Sequence, residues 1–272
     1  MKTKVHILIL FVFLFVSCEE KYEFVPDSSE SFIVIEGIIT NEYKRQELKI
    51  TYSAKDVNTE PEGIADAKVY VSDGQTAYDF SPVTDTAGLY RSDTPFAATI
   101  DKTYSLWVEK DGKILTARDQ PIPVNIPDSI KWTFVPEKNL YRISYVADVF
   151  DPFESAMYII DLDWSQVGGY QNLPYDSTHA RVYFFTLQTV DVNELFQPDK
   201  EIVYFPKGTQ ITEKKYSLTP FFAMYIRALL IETQWSGSLF DTEHWNLPTN
   251  IKGGAIGFFT ASSLVKKTYT VN

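Results

Sequence analysis

Asp161 and Asp163 are the residues whose spacing most directly suggests chemistry. They alternate with Leu162 and Trp164, so on a strand both carboxylates would leave from one face. Two close carboxylates can hydrolyse a glycosidic bond or hold Ca²⁺. The chain carries a formal charge of −11, and on so acidic a surface two solvated side chains are the plainer reading. Histidine offers less. Beyond the N-terminal leader only His179 and His244 occur, too few for a three-histidine metal site, and there is no His-Glu-x-x-His sequence. Ser236 and Ser238 flank Gly237 without the Gly-x-Ser-x-Gly elbow that exposes a serine nucleophile. Lacking a nucleophile–base pair, a metal cluster or a cofactor loop, the sequence predicts a non-enzymatic protein with no catalytic residue, metal or cofactor.

Binding has more support. Trp164, Tyr170, Tyr175, Trp235 and Trp245 stand in or beside loops, and His244 lies in the polar, aromatic stretch Asp241-Thr242-Glu243-His244-Trp245. Aromatic faces beside Asn, Gln and Asp suit a glycan or a peptide, joining a large contact area to directional hydrogen bonds. The same residues suit a protein interface. Acidity argues against nucleic acid, whose phosphates demand a basic surface, and against electrostatic adhesion to anionic lipid.

These residues need a scaffold, and the alternation along the chain makes it mainly β. Phe32 to Ile39, then Leu48, Ile50 and Tyr52, then Val69 and Val71, then Tyr78 and Phe80, and finally Thr103 to Val108 read as strands. Ser72-Asp73-Gly74, Thr86-Ala87-Gly88 and Asp111-Gly112 supply turns. Short strands at regular spacing predict a β-sandwich over residues 31–120. Pro121, Pro123 and Pro127 mark a stiff linker at 121–129. Residues 130–272 then form a larger antiparallel β-rich domain, with strands at Tyr141–Val146, Met157–Ile160 and Arg181–Thr186. Leu218 to Glu232 is ambiguous: Thr219-Pro220 would permit a helix start, while the surrounding composition favours a strand. Gly253 and Gly254 read as a structural turn feeding the last strands, because no Gly-Lys-Ser/Thr ending follows as a phosphate loop requires.

The N-terminus is a different kind of segment. Lys2 and Lys4 precede an apolar run, Val5 to Val16, that ends at Ser17-Cys18. That pattern is an export signal over residues 1–17, too short to span a bilayer, which takes about 20 apolar residues. Phe15-Val16-Ser17-Cys18 resembles a bacterial lipoprotein signal, which implies lipidation of Cys18 and a tether over residues 18–30. The alternative is an ordinary secretory signal that ends near a lone cysteine. Cys18 is the only cysteine, so the chain can form no internal disulfide.

Two resemblances add to this reading. Gly63-Ile64-Ala65-Asp66-Ala67-Lys68-Val69, Gly88-Leu89-Tyr90 and Thr103-Tyr104-Ser105-Leu106 are similar to prealbumin-like and immunoglobulin-like modules, which implies a scaffold role for residues 31–120. The tail Asn246-Leu247-Pro248-Thr249-Asn250-Ile251-Lys252-Gly253-Gly254-Ala255-Ile256-Gly257-Phe258-Phe259 resembles the closing motif of the DUF4249-type outer-membrane lipoproteins of Bacteroidota. Val34-Ile35-Glu36-Gly37-Ile38-Ile39-Thr40 and Asp148-Val149-Phe150-Asp151-Pro152 also fit. That family's genes commonly lie beside those of TonB-dependent receptors, and it has no assigned reaction to carry over. The resemblance implies an outer-membrane lipoprotein that works beside a TonB-dependent receptor; Glu19-Glu20 after Cys18 resembles an acidic surface-export signal, which implies the extracellular face, and the aromatic loops add a glycan or peptide as the expected ligand. A structural surface lipoprotein and a glycan-processing enzyme are the alternatives.

Overall fold

Alternation decides the first seven strands. In β1 (Ile33–Thr40), β2 (Glu47–Tyr52), β3 (Lys68–Ser72), β4 (Ala77–Pro82), β5 (Leu89–Ser92), β6 (Tyr104–Lys110) and β7 (Lys113–Asp119), the apolar residues of each strand turn to one side. Ile35, Leu48, Ile50, Val69, Val71, Leu106 and Val108 are all buried in one core. At the β6–β7 hairpin Asp111 and Gly112 take φ of 50° and 73°, the paired positive values of a tight two-residue turn. Gln46 is fully buried but satisfied: its side chain donates to the carbonyls of Glu42 and Phe96, both at 2.9 Å, and accepts from the Thr40 N–H at 3.0 Å.

The computed structural model describes residues 31–54, 59–189, 202–234 and 247–272. Cys18 and the tether lie outside these, as do Trp235, His244 and Trp245. Ser31 to Asn272 form one compact unit, and its architecture is mainly β.

The chain's end completes the first sheet. β14 (Ile256–Ser262) runs parallel to β1, with Val34 opposite Ile256, giving the order β14-β1-β2-β5-β4-β3-β6-β7. The two outer strands then approach each other. Thr116 and Lys252 exchange backbone hydrogen bonds of 3.0 and 2.7 Å, so the eight strands curl into a barrel-like closure. Gly257 makes the β1–β14 contact possible. Its φ is 99°, and a side chain there would fall on the Ile35 carbonyl, so only glycine fits. Asp119, at the end of β7, fastens the seam by accepting from Thr260 Oγ1 (2.7 Å), the Ala261 N–H (3.1 Å) and Thr219 Oγ1 (3.0 Å).

Residues 120–130 have no regular structure, in keeping with the proline-rich connection read from the sequence. Beyond it come β8 (Lys131–Val135), β9 (Leu140–Tyr145), β10 (Ala156–Asp163), β11 (His179–Thr186), β12 (Tyr204–Phe205), β13 (Gln210–Ser217) and β15 (Leu264–Thr270). They form two small sheets, β11-β10-β13-β15 and β12-β9-β8. Tyr158, Ile160 and Leu162 of β10 share a core with Ile130, Ile211 and Phe205.

One expectation is corrected here. The stretch after Leu218, which the composition favoured as a strand, is a helix, α1 (Pro220–Gln234). Pro220 occupies the first position, where its missing N–H costs nothing, and the Thr219 carbonyl accepts from the Ala223 N–H at 2.8 Å. Phe222, Tyr225, Ile226 and Leu230 recur at helical spacing and are buried against Met157, Leu187 and Leu218. The helix period, not the β-rich surroundings, sets the outcome.

Candidate functional site

The carboxylate pair lies where the alternation places it, on the outer face of β10, but each member is already engaged. Asp161 accepts from Arg181 Nε at 2.6 Å and Lys214 Nζ at 2.9 Å. Burial pushes its carboxyl up, and these two cations outweigh that and hold it below the ordinary range. Asp163 accepts from the Ser165 N–H at 2.8 Å and stands 3.3 Å from His179 Nε2. Bonds from Ser165 lower its pKa too, the charge of His179 adding to them against a small effect of burial. A glycosidase acid must hold its proton near neutral pH, which takes a raised pKa. Both shifts run the other way, so neither residue is set up as a proton donor. Among the described residues no group of three or more His, Cys, Asp or Glu could hold a metal ion.

The aromatic residues singled out from the sequence separate. Trp164 is core, 8% exposed, with its indole N–H donated to the Ser177 carbonyl at 3.0 Å. Tyr170 is half-buried against the same core. Tyr175 stays outside at 71% exposure and stacks on His179, with ring centres 3.9 Å apart. These residues share one folded loop, Trp164 to Thr178, closed where Trp164 donates its N–H to the Thr178 carbonyl at 3.0 Å. Gly253 and Gly254 lie at a bend before β14, with φ of 103° and 90°. A side chain at Gly253 would strike the Ile114 carbonyl, so this bend lets the chain pass beside β7.

The larger concavity lies elsewhere. A groove of ≈ 490 Å³ runs between α1, the proline-rich connection and the β10 approach, lined by Ile122, Pro123, Phe153, Leu187, Ala223 and Met224 among others. Phe153 stands at its edge 91% exposed and Met224 52% exposed. Beneath them Glu154 and Lys215 form an ion pair of 2.6 Å, with side chains only 14% and 5% exposed. Glu154 also accepts the Asn125 N–H at 2.8 Å, tying the connection to the groove floor, and Lys215 lies over the Tyr158 ring at 5.6 Å. A concavity of this size, whose lining joins these apolar side chains to Asn125, Glu154, Ser155, Gln188, Thr189 and Arg227, has the make-up of a binding site.

Sequence reading missed these residues for a physical reason. β13 alternates Ile211, Glu213, Lys215 and Ser217 inward, so charged side chains occupy the positions where a hydrophobic signal is sought. Glu213 is fully buried. It accepts from the Tyr269 hydroxyl at 2.9 Å, and its other oxygen has no hydrogen-bond partner among the described residues. Burial raises its pKa against the hydrogen bond from Tyr269 and the charges of Lys267 and Lys215. Burial, then the bond to Glu213, pushes the Tyr269 hydroxyl up to about 12.

No curated protein matches this chain. Among solved structures it is similar to the chicken CNTN1 FN1-FN3 domains, at 14% identity over 68% of this chain and 60% of that one, with a TM-score of 0.27. A likeness so distant does not assign the fold. The family match is much broader. A model described as a domain of unknown function, DUF4249, covers residues 19–268, and the chain belongs to that family.

Proposed function

We propose that this protein is a cell-envelope lipoprotein, anchored in the outer membrane through acyl chains on Cys18. Its folded part holds a partner of a TonB-dependent uptake system rather than turning over a substrate. Residues 31–120, with β14, serve as a spacer of prealbumin- or immunoglobulin-like kind, and the later sheets carry the contact. The observation that supports this reading most is the groove at α1. Phe153 is an aromatic side chain held almost wholly in water, at the edge of an apolar trough, and interface anchors are drawn from such residues. An acyl anchor raises the local concentration of a membrane-bound partner, so a modest contact is enough. The occupant that best fits walls of mixed apolar and polar side chains is a segment of protein or peptide.

The test is crosslinking in intact cells of wild type, Phe153→Asp and Met224→Asp, with identification of the captured proteins. Recovery of a TonB-dependent receptor by wild type, lost with both variants, supports the proposal. Failure to recover any receptor, under conditions that capture known lipoprotein–receptor pairs, leaves a structural surface protein. Cys18→Ala tests the anchor separately: acyl labelling should vanish and the chain should leave the membrane fraction.

A further inference from the structure

The edge strands of this molecule are treated unequally. Strand edges invite pairing with other chains, and proteins blunt them with lysines, bulges, short strands or cover. β12 is two residues long. β8 starts at Lys131 and is bulged between Lys131 and Trp132. β15 carries Lys266 and Lys267, and the Asn41 side chain takes both backbone groups of Leu264, at 2.8 and 3.3 Å. The barrel-like sheet joins its own outer strands through Thr116 and Lys252.

β11 has none of these devices. Its sequence, His179-Ala180-Arg181-Val182-Tyr183-Phe184-Phe185-Thr186, is eight residues long and pairs with β10 without a register shift. Its one arginine, Arg181, is paired with Asp161 at 2.6 Å. The bond from Trp164 to the Thr178 carbonyl sets the alternation of the ladder. Residues 180, 182, 184 and 186 turn their backbone groups to β10, and His179, Arg181, Tyr183 and Phe185 turn theirs outward. Among the described residues no strand lies along that side. Only at the far end does the chain cover itself, where Leu187 exchanges bonds of 3.0 and 3.2 Å with Val149 and Asp151. Tyr183 is 53% exposed.

We infer that β11 is a self-association edge, whose occupant is the β11 of a second copy running antiparallel about a two-fold axis at Val182. The sequence is complementary to itself in that register and poorly so in its neighbours. With the axis at Val182, Arg181 faces the second copy's Tyr183 and His179 faces the second copy's Phe185, so all four outward backbone positions are used. The first sets a cation beside an aromatic ring, a favourable cross-strand pair; the second adds its backbone bonds, the His179 ring being already stacked on its own Tyr175. Moving the axis to Arg181 sets two arginines against each other. Moving it to Tyr183 sets His179 against Leu187, whose backbone is already taken. The pairing joins two four-stranded sheets into one of eight strands.

The test uses the full chain carrying Cys18→Ser, so that no native thiol interferes. Sedimentation up to about 100 μM, above the micromolar affinities of weak interfaces, should show a reversible dimer. At the axis Val182 would meet itself in a non-hydrogen-bonded pair with Cα atoms about 4.5 Å apart, within disulfide reach. V182C should therefore oxidise to a covalent dimer, whereas K266C on β15 should not. Tyr183→Pro removes an outward N–H, which an edge strand tolerates, together with the ring that would face Arg181. The symmetry repeats the loss, so a tenfold effect per copy weakens the dimer about 100-fold. Tyr183→Lys, which opposes Arg181 with a like charge, should act in the same direction and decides the matter if the proline variant fails to fold. A wild-type chain that stays monomeric, failure of V182C to crosslink, or dimerisation unaffected by a folded Tyr183 variant overturns the inference.

Discussion

The barrel-like sheet and the two smaller sheets bury their strands by opposite rules. The first closes on itself, and its core is built from residues such as Ile35, Leu48, Val71 and Leu106. Its buried Gln46 and half-buried Asp119 are engaged by backbone and hydroxyl partners. The smaller sheets stay open at their edges and carry Glu154, Glu213 and Lys215 inward. Closure removes edges. An open pair of sheets with charged groups inside is held by specific pairings, and this is the part that also offers a groove and a bare edge.

Breaking the closure should produce the largest effect. Gly257→Val puts a side chain onto the Ile35 carbonyl at a φ of 99°, a position with no room to relax. We expect a loss of about 4 kcal/mol or more, at the top of the range for single substitutions. Denaturant unfolding followed by tryptophan fluorescence would measure it. A loss below about 1 kcal/mol, the centre of the range for point mutants, would show that β14 is dispensable to the barrel.

The inward charges of the second half come next. Glu154→Gln leaves Lys215, 5% exposed, without its counter-charge, and breaking a buried pair from one side costs about 3 kcal/mol. The Tyr158 ring, 5.6 Å from the ammonium, keeps the cost at the lower end. The same variant should loosen the proline-rich connection, since one amide oxygen remains for the Asn125 N–H and the Lys215 ammonium, which take separate oxygens of the Glu154 carboxylate. Faster amide exchange at Asn125 is the signature, and unchanged exchange would argue that the groove floor does not hold the connection.

Acid titration separates one buried carboxyl of each half by sign. In the first, Asp73 accepts from Lys102 at 2.6 Å and from the N–H groups of Thr76 and Gln75. Burial works against the charge, but these bonds hold its pKa at about 2 instead of 3.8. A depressed carboxylate stabilises the fold above its unfolded pKa and loses that contribution as pH falls from about 4 toward 2. Asp73→Asn should therefore cost about 2 kcal/mol at pH 7 and little near pH 2. Glu213 is shifted upward by burial, so its penalty is absent at low pH and grows as pH rises from the ordinary glutamate range through its folded pKa. Glu213→Gln should flatten that rise and be tolerated better at pH 7 than Asp73→Asn. Melting both variants across pH 2–8 checks the signs, and parallel curves would dissolve the contrast.

How much of this could be read beforehand follows the same division. β1, β6 and the Asp111-Gly112 hairpin were legible because their inward residues are apolar and their turns carry the right chemistry. The pairing of β14 with β1 joins Val34 to Ile256, a separation that no local pattern encodes. β13 was hidden because Glu213 and Lys215 point inward, and α1 because its apolar residues also suit a strand. Of the binding residues, the outer-face position of Asp161 and Asp163 was legible from period two. The burial of Trp164 was not, since it depends on how its loop folds back onto Ser177 and Thr178.

The smallest effect is expected where charge meets water, and it completes the comparison. Asp161 pairs with Arg181 and Lys214 at distances as short as those of Glu154 and Lys215, but the Asp161 side chain is 28% exposed and Arg181 54%. Solvent screens such pairs, and the released cations can hydrate, so Asp161→Asn should cost about 0.5 kcal/mol. The cost should shrink further in high salt, because the screening length falls to about 3 Å at 1 M. Glu154→Gln should keep most of its effect in the same buffer. The two variants therefore form a matched pair, the same loss of one negative charge from one sheet, differing mainly in which face it occupies. Equal costs for the two, or equal sensitivity to salt, would mean that the inward charges are as wet as the outward ones. The groove floor would then be no more preorganised than the open face of the sheet.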